Sequence, residues 1–118
     1  MNNKKLGNAF EREMVQLLSD EGFWVHFIEP NRSGAQPFDI IAVKDGIPVV
    51  GDCKTSSKKT ISISRLEDNQ IMAFDKWISC GNEMAFIFVK YDDKIYAIPY
   101  WYLCKKKKVT LDGFLRVK

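Results

Sequence analysis

The apolar positions along the chain follow two spacings, one typical of helices and one typical of strands. Apolar side chains recur at helical spacing up to Gly22, which predicts a first helix over Leu6–Glu21. Short runs rich in β-branched and aromatic residues, bounded by turn residues, predict five strands. These strands are Phe23–Glu29, Phe38–Val43, Ile47–Lys54, Met84–Tyr91 and Lys94–Ile98.

A second helix is predicted between the third and fourth strands. Ser64 and Glu67 fit a capping box at its start, and Gly81 ends it. Pro99–Leu103 is expected to be a short aromatic turn or helical piece. The order helix, three strands, helix, two strands predicts an α/β fold, with a central mixed β-sheet flanked by α-helices.

The second and third predicted strands form a hairpin that carries the candidate chemistry. Asp45-Gly46 suits the tight turn between them. Because side chains alternate along a strand, Asp52 and Lys54 share a face, and Asp39 converges on them if the partner strand's face coincides. Paired carboxylates suit a hard cation such as Mg²⁺, and a lysine beside it can orient an attacking water. The alternative is two turn-flanking acids and a lysine on a solvated face.

Glu11 is the candidate functional acid of the first helix. At about 100° per residue it falls inside the apolar arc, whereas Glu13 falls at the outer edge. A carboxylate among apolar side chains is costly unless it is paired or bound to metal. The helical phase therefore favours Glu11, and the alternative is that Glu11 reaches solvent at the margin.

Pro37-Phe38-Asp39, followed by Asp52-Cys53-Lys54, resembles the signature of the PD-(D/E)XK nuclease superfamily, whose members have a restriction-endonuclease-like fold. Within it the chain is similar to the small Holliday-junction resolvases of the archaeal and RecU types. The similarity includes Gly7–Glu11, Ser33-Gly34, Gln70 and Tyr96–Pro99. It implies a Mg²⁺-dependent DNA endonuclease, with Mn²⁺ as a substitute, that acts as a homodimer on four-way or branched DNA in recombination and repair.

The resemblance also implies roles for individual residues. Asp39, Asp52 and the backbone carbonyl of Cys53 would bind the metal, Glu11 would complete the site directly or through water, and Lys54 would position the nucleophilic water. Substrate-binding or neighbouring groups are expected from Arg32, Ser33, Lys58, Lys59, Arg65 and Gln70. Three departures stand out: Phe38 separates the proline from Asp39, Asp52 replaces the commoner glutamate, and the chain has little room for the long extension and inserted stalk of RecU-type proteins.

Composition adds general limits. The 118 residues predict one domain, and 46% hydrophobic with 28% charged residues is ordinary for a globular protein. A net charge of +3 permits a nucleic-acid partner without requiring one. Three cysteines without C-x-x-C spacing predict reduced thiols in a cytoplasmic protein, and no apolar run suggests a membrane span. Lys105–Lys108 predicts a loosely ordered basic tail over residues 105–118 or a non-specific phosphate contact.

Two other functions remain open at this stage. One is a nuclease of the same fold that acts on other DNA, because substrate choice lies outside the motif. The other is a non-catalytic DNA-binding module, against which the full set of acids and Lys54 argues. The late aromatic residues fit either a dimer interface or a filled core. They are Phe86, Phe88, Tyr96, Tyr100, Trp101 and Tyr102.

Overall fold

The computed structural model describes residues 8–29 and 36–117. Within these ranges the chain forms three α-helices and eight strands, with 3₁₀ turns at Ile63–Arg65 and Leu111–Gly113. The helices are α1 (Ala9–Asp20), α2 (Asp68–Ser79) and α3 (Tyr100–Lys106). The strands are β1 (Trp24–Phe27), β2 (Ile40–Lys44), β3 (Ile47–Thr55), β4 (Thr60–Ser62), β5 (Ala85–Tyr91), β6 (Lys94–Pro99), β7 (Lys108–Thr110) and β8 (Leu115–Arg116).

Six strands form a central sheet in the order β1-β2-β3-β5-β6-β8. The β3–β5 pair is parallel and the other pairs are antiparallel, so the sheet is mixed. Strands β4 and β7 form a separate two-stranded sheet. This architecture confirms the predicted α/β fold with a central mixed sheet flanked by helices.

The helices cover the two faces of the central sheet with separate apolar clusters. Helix α1 packs Phe10, Met14 and Leu18 against one face, where Phe88 and Ala97 are among the buried partners. Helices α2 and α3 supply the buried Phe74, Tyr100 and Leu103 to the other cluster. The Phe74 and Tyr100 rings stack with centroids 4.6 Å apart. Strand β3 lies between these layers, and residues 49–53 of it are buried.

The β2–β3 turn fixes the register on which the candidate site depends. Asp45 and Gly46 both have positive φ, at 54° and 78°, as a two-residue hairpin turn of this hand requires. Lys44 pairs with Ile47, and Ile40 pairs with Gly51. One further step in this antiparallel register puts Asp39 opposite Asp52. The predicted turn is confirmed, and the two acids face each other because of it.

Gly51 is required by packing rather than by its backbone conformation. A Cβ at this position would overlap the ring of Phe88, which lies on the neighbouring strand β5. The absence of a side chain therefore lets the Phe88 ring lie against β3, immediately before Asp52.

The second helix begins later than the capping box at Ser64 predicts. The backbone N–H and hydroxyl of Ser64 both interact with the Ser62 hydroxyl, and residues 63–65 form a 3₁₀ turn. Helix α2 starts at Asp68, where the side-chain oxygen of Gln70 accepts a hydrogen bond from the backbone N–H of Glu67. The local serine pair therefore competes successfully with a helical start at Ser64.

The predicted loose tail is wrong for the part of residues 105–118 that the structure describes. Helix α3 continues to Lys106, and β7 follows at Lys108. Val109 and Leu111 are buried, so apolar burial orders this segment despite its four consecutive lysines. The first helix begins at Ala9 in the described chain, and Leu6 and Gly7 lie outside it.

The three cysteines form no disulfide, and only Cys53 among them is buried. Over residues 8–29 and 36–117, no helix combines the length and apolar character needed to cross a bilayer.

Candidate active site

Asp39 immediately precedes β2, and it is held there by the packing of its neighbour Phe38 and by hydrogen bonds to β3. Phe38 is buried against Phe74, with ring centroids 5.0 Å apart. The backbone N–H of Asp39 donates to the carbonyl of Gly51 at 3.1 Å. Its carboxylate Oδ2 accepts the N–H of Cys53 at 2.8 Å. The extra residue between Pro37 and Asp39 is therefore a core residue that fixes where the acid lies.

Asp52 is the most buried charged group of the described chain, with 1% of the residue exposed. Its Oδ1 accepts a hydrogen bond from Gln70 Nε2 at 2.7 Å. Its Oδ2 lies 3.2 Å from the ammonium nitrogen of Lys54. Asp52 and Lys54 thus share one face of β3, as the alternation of the strand predicts.

Gln70 links the start of α2 to this acid. Its Oε1 accepts the backbone N–H of Glu67 at 3.1 Å, so the amide nitrogen is left to donate to Asp52. Gln70 is itself buried. The helix cap and the orientation of Asp52 therefore depend on one side chain.

Glu11 reaches the same region from the first turn of α1. Asn8 caps the helix: its Oδ1 accepts the Glu11 N–H at 2.9 Å, and Glu11 Oε1 accepts the Asn8 N–H at 3.0 Å. The half-buried Glu11 carboxyl lies close enough to interact with Asp39. Glu13 instead pairs with Lys90 at 2.6 Å. Both glutamates are half-buried, and what distinguishes them is their partner.

Burial and crowding raise the pKa values of all three acids. Burial, together with the charge of Asp39, raises the pKa of Asp52 to about 7, and Lys54 only partly offsets the increase. Burial also raises the pKa of Asp39 against the lowering effect of the Cys53 N–H, and Glu11 adds to the increase. Glu11 has a raised pKa mainly through burial. Ionising this cluster therefore needs a compensating positive charge.

The donor set fits a hard divalent cation. Asp52 Oδ2 is buried and has its ion-pair contact with Lys54 but no hydrogen bond in the described chain. No three His, Cys, Asp or Glu side chains in residues 8–29 and 36–117 group closely enough to hold an ion by themselves. Mg²⁺ does not need such a cage, because it usually takes one or two carboxylates and keeps waters or phosphate oxygens as its other ligands.

The structure therefore brings together Glu11, Asp39, Asp52, Lys54 and Gln70. Cys53 lies between the acid and the lysine, with its thiol buried and its N–H on Asp39. Arg32 and Ser33 lie outside the described residues.

The remaining predicted basic residues lie along the chain that follows β3. Arg65 donates to the carbonyl of Thr55 at 2.9 Å, next to Lys54. Lys58 and Lys59 are exposed, but Lys59 lies 3.3 Å from Asp112 and lines a different cavity from Lys58. Lys59 is therefore left out of the site that we propose below. The capping role of Asn8 was not predicted, although its position three residues before Glu11 signals it.

Comparison with known proteins agrees with this geometry. A family model described as archaeal Holliday junction resolvase (Hjc) matches residues 2–113. Crossover junction endodeoxyribonuclease Hjc of Methanocaldococcus jannaschii is 34% identical over 89 residues, which are 69% of this chain and 64% of that protein. The chain thus aligns with just under two thirds of that relative's length.

Two further proteins extend the comparison. Crossover junction endodeoxyribonuclease Hje of Sulfolobus acidocaldarius is 28% identical over 119 residues, covering 94% of this chain and 81% of that protein. A solved structure of Archaeoglobus fulgidus Hjc, a Holliday junction resolvase, has a TM-score of 0.69 at 20% identity and covers 92% of both chains. The last of these supports the fold alone, whereas the family model covers most of the sequence. The chain therefore belongs to the archaeal Holliday junction resolvase (Hjc) family.

Proposed function

We propose that this protein is a metal-dependent endonuclease that hydrolyses phosphodiester bonds in four-way or other branched DNA. The observation that carries the proposal is the pair of buried acids, Asp39 and Asp52, with Lys54 3.2 Å from Asp52. Buried acids that are not fully compensated by ion pairs destabilise a fold. Their presence here is explained if they bind a cation. The names of the two curated relatives support the substrate class.

The cation we propose is Mg²⁺, with Mn²⁺ able to replace it. Asp39 and Asp52 supply carboxylate oxygens, the backbone carbonyl of Cys53 supplies a third ligand, and Glu11 binds directly or through water. Asp52 is shorter than the glutamate common in the superfamily. Gln70 holds its Oδ1 at 2.7 Å, so Oδ2 is the oxygen left for the ion. When bound, the ion supplies a polarised phosphoryl oxygen and a more acidic water.

The protein's own residues then position the reacting groups. The Lys54 ammonium is held beside Asp52 with 19% of its side chain exposed, so it can orient the attacking water and offset charge developing on the phosphate. Gln70 fixes the Asp52 carboxylate, and the Cys53 N–H fixes that of Asp39. Arg32, Ser33 and Arg65 are proposed substrate contacts through guanidinium and hydroxyl groups.

Resolution of a junction requires two incisions, and we propose that a second copy of this chain provides the second one. A two-fold homodimer would present two sites in fixed geometry. Of the late aromatic residues, Phe88, Tyr96 and Tyr100 are buried, so they fill the core. Trp101 is 57% exposed and lines an apolar cavity of about 400 Å³ with Ile78 and Met84. This cleft, defined by those three residues, is the surface that we assign to the second copy.

A cleavage assay tests the function. With Mg²⁺, we expect paired cuts in a four-way junction and markedly slower cutting of linear duplex with the same arm sequences. Omission of the metal should abolish the cutting of both substrates, because the positive charge that activates the attacking water is then absent. Equal cutting of linear duplex would contradict the junction preference and support a nuclease that acts on other DNA. Strong DNA binding without cutting in Mg²⁺ or Mn²⁺ would support the non-catalytic DNA-binding module.

Sedimentation tests the dimer. At micromolar concentration we expect twice the monomer mass of 13.6 kDa. Trp101→Asp should shift the equilibrium toward monomer, because a charge would have to be buried in the proposed interface. Met72→Asp is the matched control, since Met72 is also exposed, at 71%, but does not line the cleft. A monomeric wild-type protein, or equal dissociation in both variants, would contradict the assignment.

A further inference from the structure

A polar cavity of about 290 Å³ lies between the end of β3 and the β4–β7 sheet. Its lining combines hydroxyl groups with cations, and we call it the serine–lysine pocket. The residues that matter here are Ser56, Ser62, Ser64, Lys58, Arg65 and Lys108. Three of the six are basic and three carry hydroxyls, which is the chemistry that recognises a phosphate group.

Lys108 is placed in this pocket by strand pairing across a long stretch of sequence. It lies opposite Ser62 in the β4–β7 pair, and the adjacent Lys107 carbonyl accepts the N–H of Ile63 at 2.7 Å. The burial of Ile61 and Val109 holds the two strands together. Lys108 is therefore a fixed wall of the pocket rather than part of a free tail.

The opposite wall is fixed by a hydrogen-bonded turn. The Ser56 N–H donates to the Lys90 carbonyl at 2.9 Å, which extends the β3–β5 pairing by one residue. The Ser56 hydroxyl accepts the Lys58 N–H at 3.1 Å. On the β4 side, the Ser62 and Ser64 hydroxyls lie 2.9 Å apart. The Ser56 hydroxyl donates its proton to the Lys58 carbonyl at 2.7 Å, so it fixes the turn around Lys58. Of the Ser62 and Ser64 hydroxyls, the one that accepts keeps its proton for a ligand.

Charge separates this pocket from the neighbouring basic cavity. No acid lines the serine–lysine pocket, and in the described part of the chain neither Lys58 nor Lys108 has a carboxylate within ion-pair distance. The neighbouring cavity is also basic, but Lys59 pairs with Asp112 at 3.3 Å and Lys94 with Asp92 at 3.8 Å. Of these two cavities, the serine–lysine pocket therefore has the less compensated positive charge.

The pocket lies a short distance along the chain from the candidate active site. Ser56 follows Lys54 by two residues in an extended chain, which is about 7 Å. Arg65 connects the two regions, because its guanidinium donates to the Thr55 carbonyl at 2.9 Å. A DNA strand whose phosphate lies at Asp39 and Asp52 would need only a short further length of backbone to reach the pocket.

We propose that the serine–lysine pocket binds a backbone phosphate of the DNA substrate a short distance along the strand from the phosphate that is cleaved. This inference rests on the proposed function, since it takes DNA as the ligand. The pocket fixes the position of the strand relative to the acids, and it uses Lys108 from the far end of the chain. Neither the metal site nor Lys54 can supply this second point of contact.

The salt dependence of DNA affinity tests the proposal. Binding of a four-way junction is measured without divalent metal, in protein carrying Asp39→Asn so that no cutting occurs. The slope of log affinity against log salt is negative, and each lost phosphate contact reduces its magnitude by roughly 0.9. Lys58→Ala and Lys108→Ala should each reduce the magnitude of the slope by about that amount. Lys59→Ala removes the same charge one residue from Lys58 and should leave the slope near that of the parent protein.

A second readout separates phosphate binding from a general charge effect. In ¹⁵N-labelled protein, the backbone N–H signals of Ser56, Ser62 and Ser64 should shift when junction DNA is added, and inorganic phosphate at high concentration should move the same signals. Equal slopes for Lys58→Ala and Lys59→Ala, or unmoved serine signals, would overturn the proposal. Because these measurements need no cleavage, they can fail while the nuclease assay succeeds, and the reverse result is equally distinguishable.

Discussion

Asp39→Asn should reduce junction cleavage by about 10³-fold or more, with DNA affinity equal to or above that of the wild type. The carboxylate is a proposed metal ligand, and loss of about 4 kcal/mol of transition-state stabilisation corresponds to that factor. Affinity is preserved because the substitution removes a negative charge that faces phosphate. In the wild type the Cys53 N–H donates to the Asp39 carboxylate at 2.8 Å. The fold is preserved because the amide oxygen of asparagine can still accept this hydrogen bond.

Single-turnover cleavage and metal-free DNA binding measure the two effects separately. Glu13→Gln is the matched control, because Glu13 is a half-buried acid on the same helix as Glu11 but pairs with Lys90. It should cleave at nearly the wild-type rate. Retention of more than a few per cent of activity by Asp39→Asn would show that Asp39 is not a metal ligand.

Asp52→Asn should make the metal-free protein more stable than the wild type at pH 8, although it should also prevent cleavage. The pKa of Asp52 is raised from 3.8 to about 7 by burial and by Asp39. The folded state therefore favours the protonated carboxyl, and stability from this group is complete below pH 3.8 and is lost as the pH rises toward 7. At about 1.4 kcal/mol per pKa unit, ionisation of Asp52 costs the fold up to about 4 kcal/mol.

Urea unfolding in the presence of a chelator, at pH 4.5 and pH 8, measures this effect. The difference in unfolding free energy between Asp52→Asn and wild type should be small at the lower pH and reach a few kcal/mol at the higher pH. Addition of Mg²⁺ at pH 8 should stabilise the wild type and leave the variant almost unchanged. Asp112→Asn, at an exposed acid, is the control. A difference in unfolding free energy that does not vary with pH would show that the folded state does not raise the pKa of Asp52.

The core of the site was predictable from local sequence because it lies in one hairpin. Asp45-Gly46 determines the turn, and the alternation of strand side chains puts Asp52 and Lys54 on one face. The turn also sets the register of β2 and β3, which puts Asp39 opposite Asp52. The period of the first helix likewise indicated the region of Glu11. These features depend on contacts between residues close in sequence, so a local pattern is sufficient to predict them.

Only the tertiary structure decided which partner each polar group has. The helical phase separates Glu11 from Glu13 but does not identify their partners: Glu11 lies by Asp39, and Glu13 pairs with Lys90, 77 residues away. Ser64 matched a capping signal, but its hydrogen bonds to Ser62 and the role of Gln70 moved the helix start to Asp68. Local competition of this kind is decided by small energy differences that depend on packing.

The last part of the chain shows the same division most clearly. Four consecutive lysines predict a solvated segment, because like charges repel and favour water. The sequence nevertheless places Val109 and Leu111 where they can be buried, and their burial pairs β7 with β4. The charge pattern by itself determined that these lysines are exposed. The long-range pairing, which no local pattern encodes, decided that Lys108 lies opposite Ser62 and lines the serine–lysine pocket.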